Sequence, residues 1–363
     1  MDCAPKPKSR LEWLDAMRGF TMIMVVMYHV GLQGFDESFK QSASMPFLVL
    51  FRMPLFFFIS GFLSYKANAD WSFSGFRSMT LKKIRIQIIP TIVFFLAFVA
   101  ITSPNKFADQ VVTNLHSPTK GGYWFTLVLL YMFIVYYIFE FFEQKIKRRS
   151  SIPIILLWVL AMCLYETCYL PKEFYWAYGA KKSLQTGWLY DSSVFQVFLF
   201  FHFFVFGNIV HRYWHKIERI YDSPGFILLI IVIAFFSTGD YIKFHCLKGP
   251  WANISQTFAR YSLLTLVFLV FRYYQDSFSR QHWVGRSLQF VGTRTLDVYL
   301  IHFFFIPHLP EVGHYFNTHH GNFVMEVAAS FLVGMMVLMF TLAVSSTLRI
   351  SPFLKKYLFG RGS

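Results

Sequence analysis

Long apolar runs alternate with short polar connections along nearly the whole chain. A helix that crosses a bilayer needs about 20 mostly apolar residues, and ten runs approach that length. They are 13–31, 46–65, 84–101, 123–142, 152–170, 194–211, 225–243, 254–272, 287–308 and 324–347. The pattern predicts an all-α, polytopic membrane protein with about ten transmembrane helices. Residues 1–363 would form a single integral membrane domain with short tails at 1–10 and 349–363.

Composition and charge agree with this class. The chain is 55% hydrophobic and only 15% charged, which is too apolar for a soluble protein of 363 residues. A net charge of +15 would also suit a nucleic-acid binder. The basic residues, however, lie in short connections between apolar runs rather than on one stripe, so we expect no nucleic-acid partner. Most of them fall on one side if both termini are cytoplasmic, which is the orientation that the positive-inside rule favours.

The first run, Leu11–Gly31, carries polar groups at two levels. Arg18 and His29 are eleven residues apart, so one helix separates them by about 16 Å. An ionisable residue inside a membrane segment is a candidate for function, although His29 could equally be a core histidine bonded to a neighbouring helix. As a general base it would need its second nitrogen oriented by another polar group. Asp15 is about 21 Å away along the same helix, so that group must come from another span.

The second run carries a charge at a similar depth. Arg52 lies about 21 Å from the end of its span at Lys66. An arginine there must face a polar cavity or an acid, unless it extends to the outer interface. The neighbouring pair Ser60-Gly61 would let two helix backbones approach closely.

A cluster of cations precedes the third run. Arg77, Lys82, Lys83 and Arg85 crowd the expected cytoplasmic entrance. They fit an ordinary positive-inside connection, and they also fit a clamp for the phosphates of an anionic donor. Charge alone does not separate these two interpretations.

The run at 287–308 contains Asp297, Tyr299 and His302. Tyr299 and His302 are three residues apart and share a helix face. We expect His302 to line the same cavity as His29, with Asp297 as the partner of a cation; bonding between helices is the alternative. The loop histidines His314, His319 and His320 have no carboxylate or cysteine at metal spacing, so we expect no metal.

Together these segments resemble the membrane acyltransferase-3 family. LDAMRGFTMIMVVMYHV is similar to the family's first-helix motif, in which an arginine is followed after ten residues by a histidine; here these are Arg18 and His29. MPLFFFISGFL resembles the second-helix segment, the basic run ending at Pro90 the third-helix entrance, and YLIH at 299–302 the late-helix motif. The resemblance covers essentially the whole chain. Arg52 departs from the pattern, because many relatives have histidine or an apolar residue just before Met-Pro-Leu-Phe, and this indicates a different acceptor or donor acid.

The resemblance implies an O-acyltransferase of the bacterial cytoplasmic (inner) membrane. It would move an acyl group, acetyl by expectation, from cytoplasmic acyl-CoA to a hydroxyl of a glycan, a lipid-linked sugar or another envelope molecule. His29 would be the general base, with a transient acyl-histidine as the competing mechanism. The residues expected to hold the CoA phosphates are Arg18, Arg77, Lys82, Lys83 and Arg85, and those expected to contact substrate or line its cavity are Asp15, Arg52, Ser60, Tyr299 and His302. A transporter or flippase of a small or lipid-linked solute is the alternative function, because many spans with buried charges also suit transport; a membrane sensor is a third.

Overall fold

The computed structural model describes residues 11–37, 39, 42–66, 71–145, 150–169, 191–248, 250–319 and 323–359. All regular structure within these ranges is helical. In chain order the α-helices are α1 (Glu12–His29), α2 (Met45–Ser64), α3 (Phe73–Lys83), α4 (Ile89–Thr102), α5 (Phe107–Leu115), α6 (Trp124–Glu143), α7 (Ile152–Tyr169), α8 (Val194–Arg212), α9 (Trp214–Tyr221), α10 (Pro224–Gly239), α11 (Pro250–Tyr273), α12 (Trp283–Gly292), α13 (Thr295–Ile301), α14 (Pro310–Thr318), α15 (Phe323–Leu348) and α16 (Pro352–Phe359).

Seven helical segments in the described ranges are long and apolar enough to cross a membrane. They are Met45–Ser64, Phe73–Thr102, Trp124–Glu143, Val194–Arg212, Pro224–Phe244, Trp251–Tyr273 and Phe323–Leu348. Two further apolar helices, Ile152–Glu166 and Thr295–Phe304, are shorter. Helix α1 is not among these seven segments, and it carries three charged residues, Glu12, Asp15 and Arg18. The expected all-helical membrane architecture is therefore confirmed, whereas the count of ten spans is not.

The expected span 287–308 is divided. Helix α12 ends at Gly292, α13 begins at Thr295, and a 3-10 turn at His302–Phe304 follows. Between α12 and α13, Arg294 leaves the helical conformation, at φ −117° and ψ 19°. The break coincides with a close packing contact, because a Cβ on Gly292 would overlap the backbone oxygen of Asp15 on α1. By contrast, the expected span 84–101 lies inside one longer helical segment in which a π-helical turn at Ile84–Ile88 joins α3 to α4.

Helices α2 and α8 cross at the centre of the protein with their backbones in contact. A Cβ on Gly61 of α2 would overlap the carbonyl oxygen of Phe204, and a Cβ on Gly207 of α8 would overlap that of Phe58. This is the close approach that Ser60-Gly61 predicted, and small residues allow it between membrane helices. In the apolar stretch of α2, 78% of the residues are buried, compared with 11% in the segment Pro224–Phe244 that contains α10. Helix α2 is thus a central wall and α10 a peripheral helix.

Candidate active site

A cavity of about 660 Å³ lies beside α1 and reaches from Arg18 to His29. Its walls come from α1, α2, α3, α6, α8 and α13, together with the loop before α6. Helix α1 is continuous between the two residues, so they are about 16 Å apart along its axis. The two levels expected from the sequence are therefore two ends of one cavity.

The Arg18 end of the cavity is cationic. Arg18, Lys66 and Lys83 line it. Arg18 Nη2 donates to Thr295 Oγ1 at 3.0 Å, and Arg18 Nη1 lies 3.7 Å from Asp15 Oδ1. Lys83 Nζ lies 3.6 Å from the centre of the Phe133 ring. Three positive side chains at one end of a cavity favour the binding of an anion with several charges.

The middle of the cavity is largely apolar. Met22 and Val25 of α1 face Phe56, Ile59 and Leu63 of α2 across it. Ser60 adds a hydroxyl to the same wall. Such a lining suits an extended, mostly uncharged chain between the cationic end and His29.

His29 is bonded to a second histidine. The distance from His29 Nδ1 to His302 Nε2 is 2.8 Å, and His302 Nδ1 lies 2.8 Å from the carbonyl oxygen of Val298. The two imidazole planes are 13° apart with ring centres 5.0 Å apart, as expected for two rings joined edge to edge by one hydrogen bond. His302 is completely buried. It begins the 3-10 turn directly after α13, the helix that contains Val298.

This arrangement fixes which nitrogen carries each proton when both rings are neutral. A carbonyl oxygen only accepts, so His302 Nδ1 carries a hydrogen and His302 Nε2 has a lone pair. That lone pair accepts the hydrogen of His29 Nδ1, which leaves the lone pair of His29 on Nε2. A neutral imidazole held in one tautomer in this way is equipped to act as a base or a nucleophile.

Arg52 and a glycine turn complete the His29 end. The guanidinium carbon of Arg52 lies 3.6 Å from the centre of the Tyr28 ring. Gly121 and Gly122 line the cavity at φ values of 60° and 100°, where side chains are disfavoured. Tyr299 holds this turn, because its hydroxyl donates to the carbonyl oxygen of Gly122 at 2.9 Å and accepts from the backbone nitrogen of Phe125 at 3.1 Å.

The structure brings together most of the residues that the sequence singled out. The predicted residues that line the cavity are Arg18, His29, Arg52, Ser60, Lys83 and Tyr299. His302 lies outside the lining, where it contacts His29 from behind instead of facing the cavity as expected. Asp15 is also outside the lining and lies beside Arg18.

The remaining predicted cations lie elsewhere. Arg77, Lys82 and Arg85 are exposed and do not line the cavity. One helix face alone can point inward, and on α3 that face carries Lys83. Asp297 accepts from Arg349 Nε and Nη2, both at 2.8 Å, and from Ser345 Oγ at 2.6 Å. Its cation is therefore on the segment after α15 and not in the cavity.

Sequence reasoning did not assign a role to several lining residues. They are Tyr28, Gln33, Lys66, Gln196 and Thr295. Lys66 had the plainest signal, because it follows directly after the second apolar run, but it reads as an ordinary positive residue of a connection. Thr295 becomes recognisable only once the break after α12 places it beside Arg18.

Comparison with known proteins identifies one family. A family model described as an acyltransferase domain matches residues 11–350, nearly the whole chain. No curated protein and no solved structure matches the chain.

Proposed function

The chain belongs to the acyltransferase-3 family and is an integral membrane acyltransferase, and we propose that its donor is a cytoplasmic acyl-CoA, with acetyl as the acyl group. The acceptor would be a hydroxyl of a glycan, a lipid-linked sugar or another envelope molecule. Its membrane would be the bacterial cytoplasmic membrane. The observation that carries this proposal is one continuous cavity that has cations at one end and an oriented histidine at the other.

The cavity matches the two ends of an acyl-CoA. Such a donor has anionic phosphates at one end and a thioester at the other, joined by an extended arm. Arg18, Lys66 and Lys83 would bind the phosphates through charge-assisted hydrogen bonds. The arm would lie along Met22 and Phe56, and the thioester would reach His29, about 16 Å from Arg18. Both termini would be cytoplasmic, so the Arg18 end would open toward the donor.

His29 Nε2 would act as the general base. It would take the proton of the acceptor hydroxyl while the hydroxyl oxygen forms a bond to the thioester carbonyl carbon. The carbon–sulfur bond would then break, and the thiolate would leave with its electron pair. The proton held on His29 would pass to the thiolate sulfur, which restores the neutral imidazole and releases CoA. His302 would stabilise the transient imidazolium, because its Nε2 accepts from His29 Nδ1.

A relay through the enzyme uses the same nitrogen. His29 Nε2 would attack the thioester carbonyl carbon, CoA would leave, and the acceptor hydroxyl would take the acyl group from the histidine. Incubation with labelled acetyl-CoA in the absence of an acceptor separates the routes. The relay predicts label on the protein that is lost in His29→Gln, whereas direct transfer predicts none.

The proposed function is tested by acetyl-CoA binding and by CoA release from the purified protein, measured in parallel. We expect Arg18→Ala to weaken binding by about 10-fold or more, which is typical of losing a charge-assisted contact. We expect His29→Ala to bind acetyl-CoA normally and to release CoA about 100-fold more slowly or worse. Arg219→Ala and His215→Ala are matched controls, because both side chains are exposed outside the cavity.

The outcomes separate this proposal from transport. A fully active His29→Ala enzyme would refute both the direct and the relay mechanism. If the wild-type protein binds neither acetyl-CoA nor a panel of longer acyl-CoAs, the acyl-CoA donor is excluded. Uptake of a labelled solute by proteoliposomes without any acyl donor would then favour a transporter.

A further inference from the structure

Arg52 is a buried cation at the His29 end of the cavity. The residue is 9% exposed and lies in the interior of α2. Its Nε is buried and has no hydrogen-bond partner in the described part of the chain. The guanidinium carbon lies 3.6 Å from the centre of the Tyr28 ring. A cation–π contact compensates only part of the cost of burying a guanidinium.

The described lining of the cavity offers no carboxylate to neutralise Arg52. Among the described residues that line the cavity there is no aspartate and no glutamate, whereas Arg18, Arg52, Lys66 and Lys83 are all present. Buried charges in proteins are ordinarily paired. A cavity whose described lining has four cations and no acid is therefore suited to receive negative charge from its ligands.

The Arg52 charge is separate from the cations at the other end. Arg18 is about 16 Å from His29 along α1, and Arg52 stacks on Tyr28, the residue next to His29. A donor whose phosphates occupy the Arg18 end brings only its uncharged thioester to the His29 end. The charge of Arg52 is left for the second substrate.

We propose that the acceptor is an anion, a hydroxyl compound that carries a phosphate or carboxylate group, and that Arg52 binds this group while the hydroxyl faces His29. This inference rests on the proposed function and adds the class of its second substrate. The guanidinium fork can donate two parallel hydrogen bonds to two oxygens of a phosphate or a carboxylate. The guanidinium packs on the Tyr28 ring, and Tyr28 directly precedes His29, so the anion would be bound beside His29.

The test measures binding by the thermal unfolding temperature of the purified protein saturated with CoA. CoA fills the Arg18 end, so added small anions report on the other end. Two matched pairs of probes are used: glycerol 1-phosphate against glycerol, and glucuronate against glucose. The phosphate pair and the carboxylate pair together show which anionic group is preferred.

We expect at least one anionic probe to raise the unfolding temperature of the wild-type protein more than its neutral counterpart does. In Arg52→Gln the affinity for that anion should fall by about 10- to 100-fold, the effect of losing one or two charge-assisted hydrogen bonds. Arg52→Lys should retain part of the affinity, because it keeps the charge and loses the fork. Arg219→Gln, an exposed control, should behave as wild type.

Several outcomes would overturn the inference. One is an equal effect of anionic and neutral probes on the wild-type protein, including no effect of either. Another is an anion preference that is unchanged in Arg52→Gln. If CoA itself binds normally in these experiments, the proposed acyl-CoA donor stands and only the anionic acceptor is rejected. If neither CoA nor any acyl-CoA shifts the unfolding temperature of the wild-type protein, the proposed function fails instead.

A role for Arg52 in the chemical step gives a different result. Were its charge used to stabilise the developing oxyanion, Arg52→Gln would lower the rate of CoA release for every acceptor, water included, and would leave anion binding unchanged. That result would replace the acceptor-binding role by a catalytic one.

Discussion

Replacing His302 with alanine would remove the acceptor for the His29 Nδ1 hydrogen and leave His29 itself in place. The bond is 2.8 Å long in the resting site, and it strengthens when His29 becomes positively charged. A hydrogen bond to a charged group contributes about 1.5–3 kcal/mol. Since 1.36 kcal/mol is a factor of ten in rate, we expect kcat to fall about 10- to 150-fold. The KM for acetyl-CoA should change little, because His302 lies outside the cavity lining.

His302→Gln is the matched variant for this experiment. The glutamine side-chain oxygen lies as many bonds from the backbone as histidine Nε2 does, so it can accept from His29 Nδ1. We expect it to recover most of the lost kcat. His302 is completely buried, and truncating a buried ring destabilises the fold; acetyl-CoA binding and the unfolding temperature are therefore measured for both variants. An alanine variant that folds, binds donor and retains wild-type kcat would refute the orienting role. So would a glutamine variant that is folded but as slow as alanine.

Two further predictions concern stability. Arg349→Ala leaves the Asp297 carboxylate buried without its cation, and we expect a loss of about 3–5 kcal/mol. The unfolding temperature of Arg349→Ala should be clearly lower than that of the wild type, and adding Asp297→Leu should partly restore it. An unchanged unfolding temperature in Arg349→Ala would contradict this prediction. Burial, with the adjacent Glu326 charge, raises the pKa of Glu37 from 4.5 to about 7. The folded state therefore binds the extra proton between these values, so stability should fall as pH rises from about 4.5 to about 7. Glu37→Gln should flatten this part of the curve of unfolding temperature against pH, and an identical curve would contradict the assignment.

Hydrophobic patterning could predict the helices but not the break in the late run. Apolar stretches of membrane length predict helices because lipid leaves backbone groups no other way to be satisfied. Polar residues do interrupt the run 287–308, because Thr293, Arg294 and Thr295 follow directly after Gly292. A short interruption of this kind does not by itself end a membrane helix, since glycine and isolated polar residues are also tolerated inside one. The break lies where Gly292 contacts the Asp15 backbone on α1, and predicting such a contact requires knowledge of which helices are neighbours.

The candidate site was predictable where a single helix contains it. The spacing of Arg18 and His29 in one continuous helix gave their separation directly. The partner of His29 was not predictable in the same way, because His302 is 273 residues distant in sequence. Its orientation depends on the carbonyl oxygen of Val298, a backbone group that carries no side-chain signal.

The basic cluster shows a second limit of sequence reasoning. Arg77, Lys82, Lys83 and Arg85 are chemically equivalent candidates for a phosphate clamp. Successive helical residues point about 100° apart, so they cannot all face one cavity. Only Lys83 does so, and that choice depends on which face of α3 packs toward α6.

The central claim is that one cavity holds the donor with its phosphates at Arg18 and its thioester at His29. An experimental structure of the protein bound to acetyl-CoA tests this most directly. The account predicts density for the phosphates beside Arg18, Lys66 and Lys83. It also predicts that an acceptor hydroxyl hydrogen-bonded to His29 Nε2 would have its oxygen within about 3.5 Å of the thioester carbonyl carbon. Acetyl-CoA bound outside the cavity, or bound in the opposite direction with its phosphates at Arg52, would contradict it.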